Sequence, residues 1–333
     1  MRLFLTTAEI LQAGLLAVAV LASAKPSRDF LAQANAALQD GEADKALALL
    51  HSLPQSGLGL AEAQNLECRV RFTLEQWDAA AANCERAVSL DGQNSGYRLW
   101  LGRALGEKAN RAGFWSAYSL AKRVRAEFEE AARLNPRNAE ALSDLGEFYF
   151  AAPGIVGGGA SKAEGVAARL EKLDAARAHE LRGRIAVAQK DYSTAEREFK
   201  QAVAVGAHPA YQWVTLANFY RRRERWTEME SAVHSAVNAA ERDKRAGVAL
   251  YDGASVLIGA NRDPALAAKM LEEYLAGSAK TEEAPAFVAY TRLARLKQQL
   301  GDTAAANRER ATALSLAHEY RPAQDFKFLE TKH

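Results

Sequence analysis

From Ser27 onward, small and large apolar residues recur along the chain with a period of about 34 residues. Within a unit, small residues recur at positions 8, 20 and 27 and large ones at positions 4, 7, 11 and 24. This alternation predicts two antiparallel helices per unit, touching where the small residues lie and packing on the next unit through the large ones. The register is plainest in the middle of the chain. Gly183, Ala195, Phe199 and Ala202 take positions 8, 20, 24 and 27, and Trp213, Leu216, Ala217 and Tyr220 open the next unit at positions 4, 7, 8 and 11.

Other units keep the register with local departures. Ser27–Leu60 places Ala34, Gly41, Ala46 and Leu50 at positions 8, 15, 20 and 24, and Ala61–Asn94 places Cys68 at 8, Ala80 at 20 and Cys84 at 24. A third unit, opened by Leu101-Gly102 and closed by Phe128, Ala131 and Leu134, carries an insertion around Lys108–Lys122. A fourth, opened by Leu145-Gly146 and resuming at Ala163, carries a shorter one in the loop Pro153–Gly159. Residues 245–278 read as a degraded unit, with Ala267 and Leu271 in its second helix, and Leu293-Ala294, Ala306 and Ala313 mark the last. Pro136, Pro209, Pro285 and Pro322 fall where second helices should end, since proline cannot continue a helix. Each pair has an apolar side that only a neighbour can cover, so the units should stack. The expectation is an all-α, right-handed superhelical solenoid of seven to eight helix pairs over residues 25–333, capped by roughly Tyr320–His333.

Composition agrees with this reading. Of 333 residues, 71 are alanine, against four isoleucines and sixteen valines. The best helix former is abundant and strand formers are scarce. Lys and Arg number 43 against 41 Asp and Glu, a net charge of +2 that gives no bulk electrostatic case for nucleic acid.

The residues above resemble the tetratricopeptide repeat over nearly the whole chain beyond residue 24. A narrower resemblance is carried by Cys68, Trp77, Ala80 and Cys84-Glu85, by Trp100-Leu101-Gly102-Arg103-Ala104 with Gly106-Glu107-Lys108-Ala109, and by Ala152-Pro153-Gly154-Ile155-Val156-Gly157-Gly158. These stretches are similar to a group of exported bacterial repeat proteins. The resemblance implies an envelope or secreted location, a role in holding other proteins, and no catalytic activity.

The N-terminus fits an exported chain. Arg2, the apolar run Ala13–Ala24 and the small residues Ala22-Ser23-Ala24 form the pattern of a signal peptide over residues 1–24. The wholly apolar stretch is shorter than the roughly 20 residues that span a bilayer. Membrane contact is therefore expected only through this segment, if it stays uncleaved. The two cysteines occupy positions 8 and 24 of one unit, which face the same interior. In an oxidising compartment Cys68 and Cys84 are a candidate disulfide; the alternative is a pair of small buried thiols.

Arginine recurs at position 9, on the side expected to line the concave groove: Arg69, Arg103, Arg184 and Arg295, joined by Asn218, Arg221 and Arg222. Guanidinium groups pair bidentately with carboxylates, so this groove would favour a protein or peptide segment carrying acidic residues. Against that, Glu107, Glu147 and Glu180 lie near enough in sequence to neutralise it. The glycine-rich loop, with Gly154, Ile155, Val156 and Gly157, lacks the Gly-Lys-Ser/Thr ending of a phosphate loop and follows a helix. It reads as an enlarged turn that could carry binding contacts. The six histidines are scattered and no nucleophile motif is present, so no catalytic residue, metal site or cofactor is expected. The function expected is a non-enzymatic scaffold of the bacterial envelope binding protein through its concave groove. The alternatives are a self-associating assembly factor, acting through its outer surface and the glycine loop, and an accessory subunit of an envelope enzyme.

Overall fold

The structure, a computed structural model, describes residues 28–54, 57 and 59–326. The leader expected over residues 1–24 lies outside them. Among the described residues every regular element is a helix. Residues 28–39 form α1, which pairs with α2 (Ala43–His51). Then come α3 (Leu60–Thr73) with α4 (Trp77–Leu90), α5 (Ser95–Arg111) with α6 (Phe114–Leu134), and α7 (Ala139–Ala151) with α8 (Ala160–Leu170). The array continues with α9 (Ala175–Ala188) and α10 (Tyr192–Val205), then α11 (Pro209–Arg222) and α12 (Trp226–Arg242). The last pairs are α13 (Val248–Ala260) with α14 (Pro264–Ala276) and α15 (Ala286–Gln299) with α16 (Thr303–Leu316), before a short α17 (Arg321–Gln324). Among the described residues these helices form eight stacked pairs.

Local chemistry sets the helix ends. Asn94 and Asn138 accept from the backbone N–H groups that open α5 and α7, and Asp191 and Asp302 do the same for α10 and α16. Pro209 occupies the first turn of α11, and Pro285 immediately precedes α15. These prolines therefore start first helices as well as stopping second ones. The turn inside most pairs needs one residue in the left-handed region. Gly41 supplies it at φ 74°, whereas Glu75, Lys190 and Glu224 adopt φ 60°, 62° and 56° in spite of their Cβ atoms.

In three of the pairs, a glycine of the first helix meets a large residue of the second. A Cβ added to Gly102 would lie 2.4 Å from Phe128, one on Gly183 2.6 Å from Phe199, and one on Gly253 2.5 Å from Met270. Ala80, Ala131, Ala195 and Ala202 are buried at the same crossings. In the second pair both contact positions are cysteine, and Cys68 and Cys84 are joined by a disulfide with Cα atoms 5.3 Å apart. The bond takes the place that the glycine–phenylalanine contact occupies in the next pair.

The two ends of the array meet. One apolar cluster contains Leu31, Leu38 and Leu47 of the first pair, Val70 of α3, and Phe287, Ala313, Ala317, Tyr320 and Ala323 from the other end of the chain. Gly41 sits against Ala286, where a Cβ would be 2.3 Å from the Ala286 nitrogen. Polar contacts reinforce the seam. Arg69 donates to both carboxylate oxygens of Glu282 at 2.8 and 2.5 Å, Gln39 reaches the same carboxylate, and Arg71 and Gln76 donate to Glu319 at 2.9 and 2.8 Å. The segment after α16 thus joins the last pair to the first as well as capping it.

Two stability tests follow from these contacts. Gly102→Ala should lower unfolding free energy by about 1–3 kcal/mol through overpacking against Phe128. Gly106→Ala, one turn along α5 with nothing within 4 Å of the added Cβ, should raise it by up to about 1 kcal/mol. Indistinguishable effects of the two substitutions in urea denaturation would refute the crossing argument. Glu282→Ala should cost about 3 kcal/mol by leaving the Arg69 guanidinium unpaired, and Arg69→Met with Glu282→Leu should recover most of it.

Candidate functional site

The first helices of successive pairs line the inside of the closed array, because each second helix packs outside its partner. Between α7, α9, α11 and α13 this inner face leaves a cleft of about 1300 Å³. Glu140 and Glu147 come from α7, Arg177, Glu180 and Arg184 from α9, and Gln212, Thr215, Asn218 and Arg222 from α11. Asp252 and Ser255 of α13 face them, and Thr281 and Glu283 enter from the loop before α15. Apolar patches from Phe150, Val187 and Val256 lie between the charges. A surface of this kind can bury an extended segment and fix its register through a few polar groups.

The arginines expected in the groove are placed in three ways. Arg184, Asn218, Arg221 and Arg222 line the cleft. Arg69 is taken up by Glu282 at the seam, and Arg295 donates to the Pro322 carbonyl of the terminal segment. Arg103 lies on α5, bonded to Asp144 at 2.6 Å and close to Glu140 at 3.4 Å. Even inside the cleft most guanidinium groups have partners: Arg184 meets Glu147 at 2.8 Å, and Arg221 donates twice to the Asn218 amide oxygen. Glu147 neutralises the groove as its sequence position allowed, whereas Glu107 pairs with Arg111 and Glu180 accepts from Gln212.

What the sequence pattern did not bring out is the acid facing these arginines. Asp252, on the degraded unit, has no hydrogen-bond partner among the described residues. Burial pushes its carboxyl up to about 6, the charge of Glu283 adds to the shift, and Arg292 opposes it. Burial likewise raises Glu180, against the pull of Arg184. Glu283 itself projects into the cleft from the α14–α15 loop. Asp252 falls one position before Gly253, the residue that crosses Met270, and that offset was the available signal. Its significance depended on which residues stood across the array.

The glycine-rich loop has a different place. Gly154–Val156 forms one 3₁₀ turn, Gly157 follows at φ 96°, and the Arg125 guanidinium of α6 fills the space where a Gly157 side chain would be. Arg125 donates to the Val156 carbonyl at 3.3 Å and Lys162 to that of Gly157 at 2.9 Å. The backbone N–H groups of Gly157, Gly158 and Gly159 all bond to carbonyls of the same segment or of α7. The loop therefore clasps the neighbouring pair and offers no set of free amides to an anion. Val156 is buried and Ile155 is 69% exposed. Among the described residues no group of three His, Cys, Asp or Glu side chains could hold a metal, and no helix is long and apolar enough to cross a membrane.

No protein-family profile matches the chain, and no curated protein matches it by sequence. Among solved structures it is similar to a thermophilic tetratricopeptide-repeat protein of Thermus thermophilus, with 18% identity, 58% of this chain and 98% of that one covered, and a TM-score of 0.48. It is also similar to a tetratricopeptide repeat protein of Parabacteroides merdae, with 10% identity, coverage of 90% and 99%, and a TM-score of 0.45. A third likeness is to pilF of Pseudomonas aeruginosa, with 12% identity, coverage of 80% and 97%, and a TM-score of 0.38. The helix pairs of the chain itself stack as an all-α solenoid.

Asp252 yields a pH test. A carboxyl whose pKa is higher folded than unfolded penalises the fold above its folded pKa, and the penalty disappears as pH falls below the unfolded value. With a folded value of about 6 and an ordinary one of 3.8, that window is about pH 4–6. Asp252→Asn should therefore stabilise at about pH 7.5 by about 3 kcal/mol and at about pH 4 by little. Denaturation curves of both proteins at the two pH values give the comparison, and a pH-independent gain would exclude titration of Asp252 as its source.

Proposed function

We propose that this protein is a scaffold that holds a segment of another protein in the cleft between α7, α9, α11 and α13. The observation that carries the reading is a cleft of about 1300 Å³ lined by residues of both charge signs with apolar patches between them. Such a surface recognises a segment by burying its apolar side chains and matching its charges, without any reacting group. The pairing of Arg69, Arg103 and Arg184 with carboxylates of the chain removes the bias toward a purely acidic ligand. A segment of mixed charge fits better, one carboxylate facing exposed Arg222 and one cation facing Asp252 and Glu283.

We further propose that the scaffold works in the bacterial envelope. The leader pattern of residues 1–24 supports this, as does a pair of cysteines placed to form a disulfide, a bond that persists in oxidising compartments.

A photo-crosslinking residue at Thr215, in the cleft, should give a discrete protein adduct in the native envelope fraction. The same residue at Ser231, exposed on the outer helix α12, should give none. Adducts confined to Ser231, or no adduct at Thr215 in folded exported protein, would rule out the cleft as the binding surface.

A further inference from the structure

The α5–α6 hairpin stands apart from the other pairs. Its helices are 17 and 21 residues long, against 14 and 14 in the pairs α3–α4 and α9–α10. The added residues extend α6 by about 10 Å. The sequence insertion around Lys108–Lys122 is this extension. Every residue from Gly106 to Arg123 is exposed or half-buried, and of the large apolar side chains in the α6 part of this stretch only Leu120 packs against the core. At its apex, Phe114 is 70% and Trp115 81% exposed, with ring centroids 5.3 Å apart. Tyr118 follows one turn later. Two adjacent large aromatics left in water are unusual on a soluble protein and mark a contact surface.

The charge around the tip has one dominant sign. From Lys108 to Ala126 the chain carries five basic residues and no acidic one. Arg125 is held by the glycine loop, and Lys122 lies 5.3 Å from the Tyr118 ring. Lys108, Arg111 and Arg123 meet Asp78, Glu107 and Glu85 in ion pairs at the surface. Exposed pairs of this sort are weak, so a phosphate oxygen can replace the carboxylate.

We propose that this tip is a membrane-surface contact: Phe114 and Trp115 enter the interfacial layer of a bilayer while the surrounding cations meet anionic phospholipid headgroups. Tryptophan and basic side chains together favour that layer, the ring by its amphipathic body and the cations by the surface potential. The shape argues for lipid over protein. A stable protein interface needs about 800 Å² per partner, which a projecting tip of two rings does not offer, whereas a fluid bilayer closes around a point. The contact is separate from the cleft and does not rest on what the cleft binds.

The test uses full-length protein with vesicles of phosphatidylcholine alone or mixed equally with phosphatidylglycerol. Wild type should co-sediment with the mixed vesicles and weaken as salt rises. Phe114→Ser with Trp115→Ser should bind about tenfold more weakly, with unchanged circular dichroism. Lys122→Glu with Arg123→Glu should lose the preference for phosphatidylglycerol. Because the N-terminal apolar segment is present in every variant, its own affinity cancels in the comparison. Brominated phospholipid should quench wild-type tryptophan fluorescence and quench Trp115→Phe much less, a difference a packing role would not produce. The proposal is overturned if the double serine variant binds as wild type does, if quenching is the same with and without Trp115, or if a crosslinker at position 115 captures a protein in place of lipid.

Discussion

The structure depends on one repeated contact, the close crossing of the two helices within a pair. Gly102 against Phe128 and Gly183 against Phe199 show its usual form, a missing side chain on the first helix that admits a ring from the second. Dense packing at that point fixes the angle of each pair, and the angle fixes how the next pair can stack. Cys68 and Cys84 occupy the same two positions, so the disulfide adds a covalent link where the crossing is already tight. Where the register is degraded, Gly253 and Met270 reproduce the contact with a more adaptable side chain.

Stacking then brings remote charges together. Glu282 and Glu319 are far along the chain from Arg69 and Arg71, yet the closed array makes them partners. Closure has two consequences for the inner face. It removes Arg69 from the arginine lining, and it brings Glu283 in opposite α7 and α9. A face that looks basic along one helix becomes mixed in the stack, because Arg103 and Arg184 each pair with an acid of α7. Asp252 is the exception: it has a like charge nearby in Glu283 and only Arg292 to offset it.

The two insertions illustrate how differently extra residues can be used. The glycine loop folds back on α6, and its lack of side chains is what lets the Arg125 guanidinium lie against Gly157. The α5–α6 extension does the reverse, carrying Phe114 and Trp115 away from the core. Both were visible in the sequence as departures from the period. Their roles were not, because an aromatic in a helix reads as core by default. Only burial distinguishes Trp100, packed beside Phe72, from Trp115.

The sequence by itself determined the helices, their pairing and the crossing positions, since these depend on side chains at fixed spacing within one unit. It also placed Cys68 and Cys84 at facing positions of one unit. The tertiary structure decided what depends on the sum of many small rotations between pairs. Those rotations bring the ends into contact, assign partners to the arginines, set Asp252 near Glu283 and leave one hairpin tip in solvent. Each rotation is set locally, but its accumulated value over the whole stack cannot be read from any single repeat.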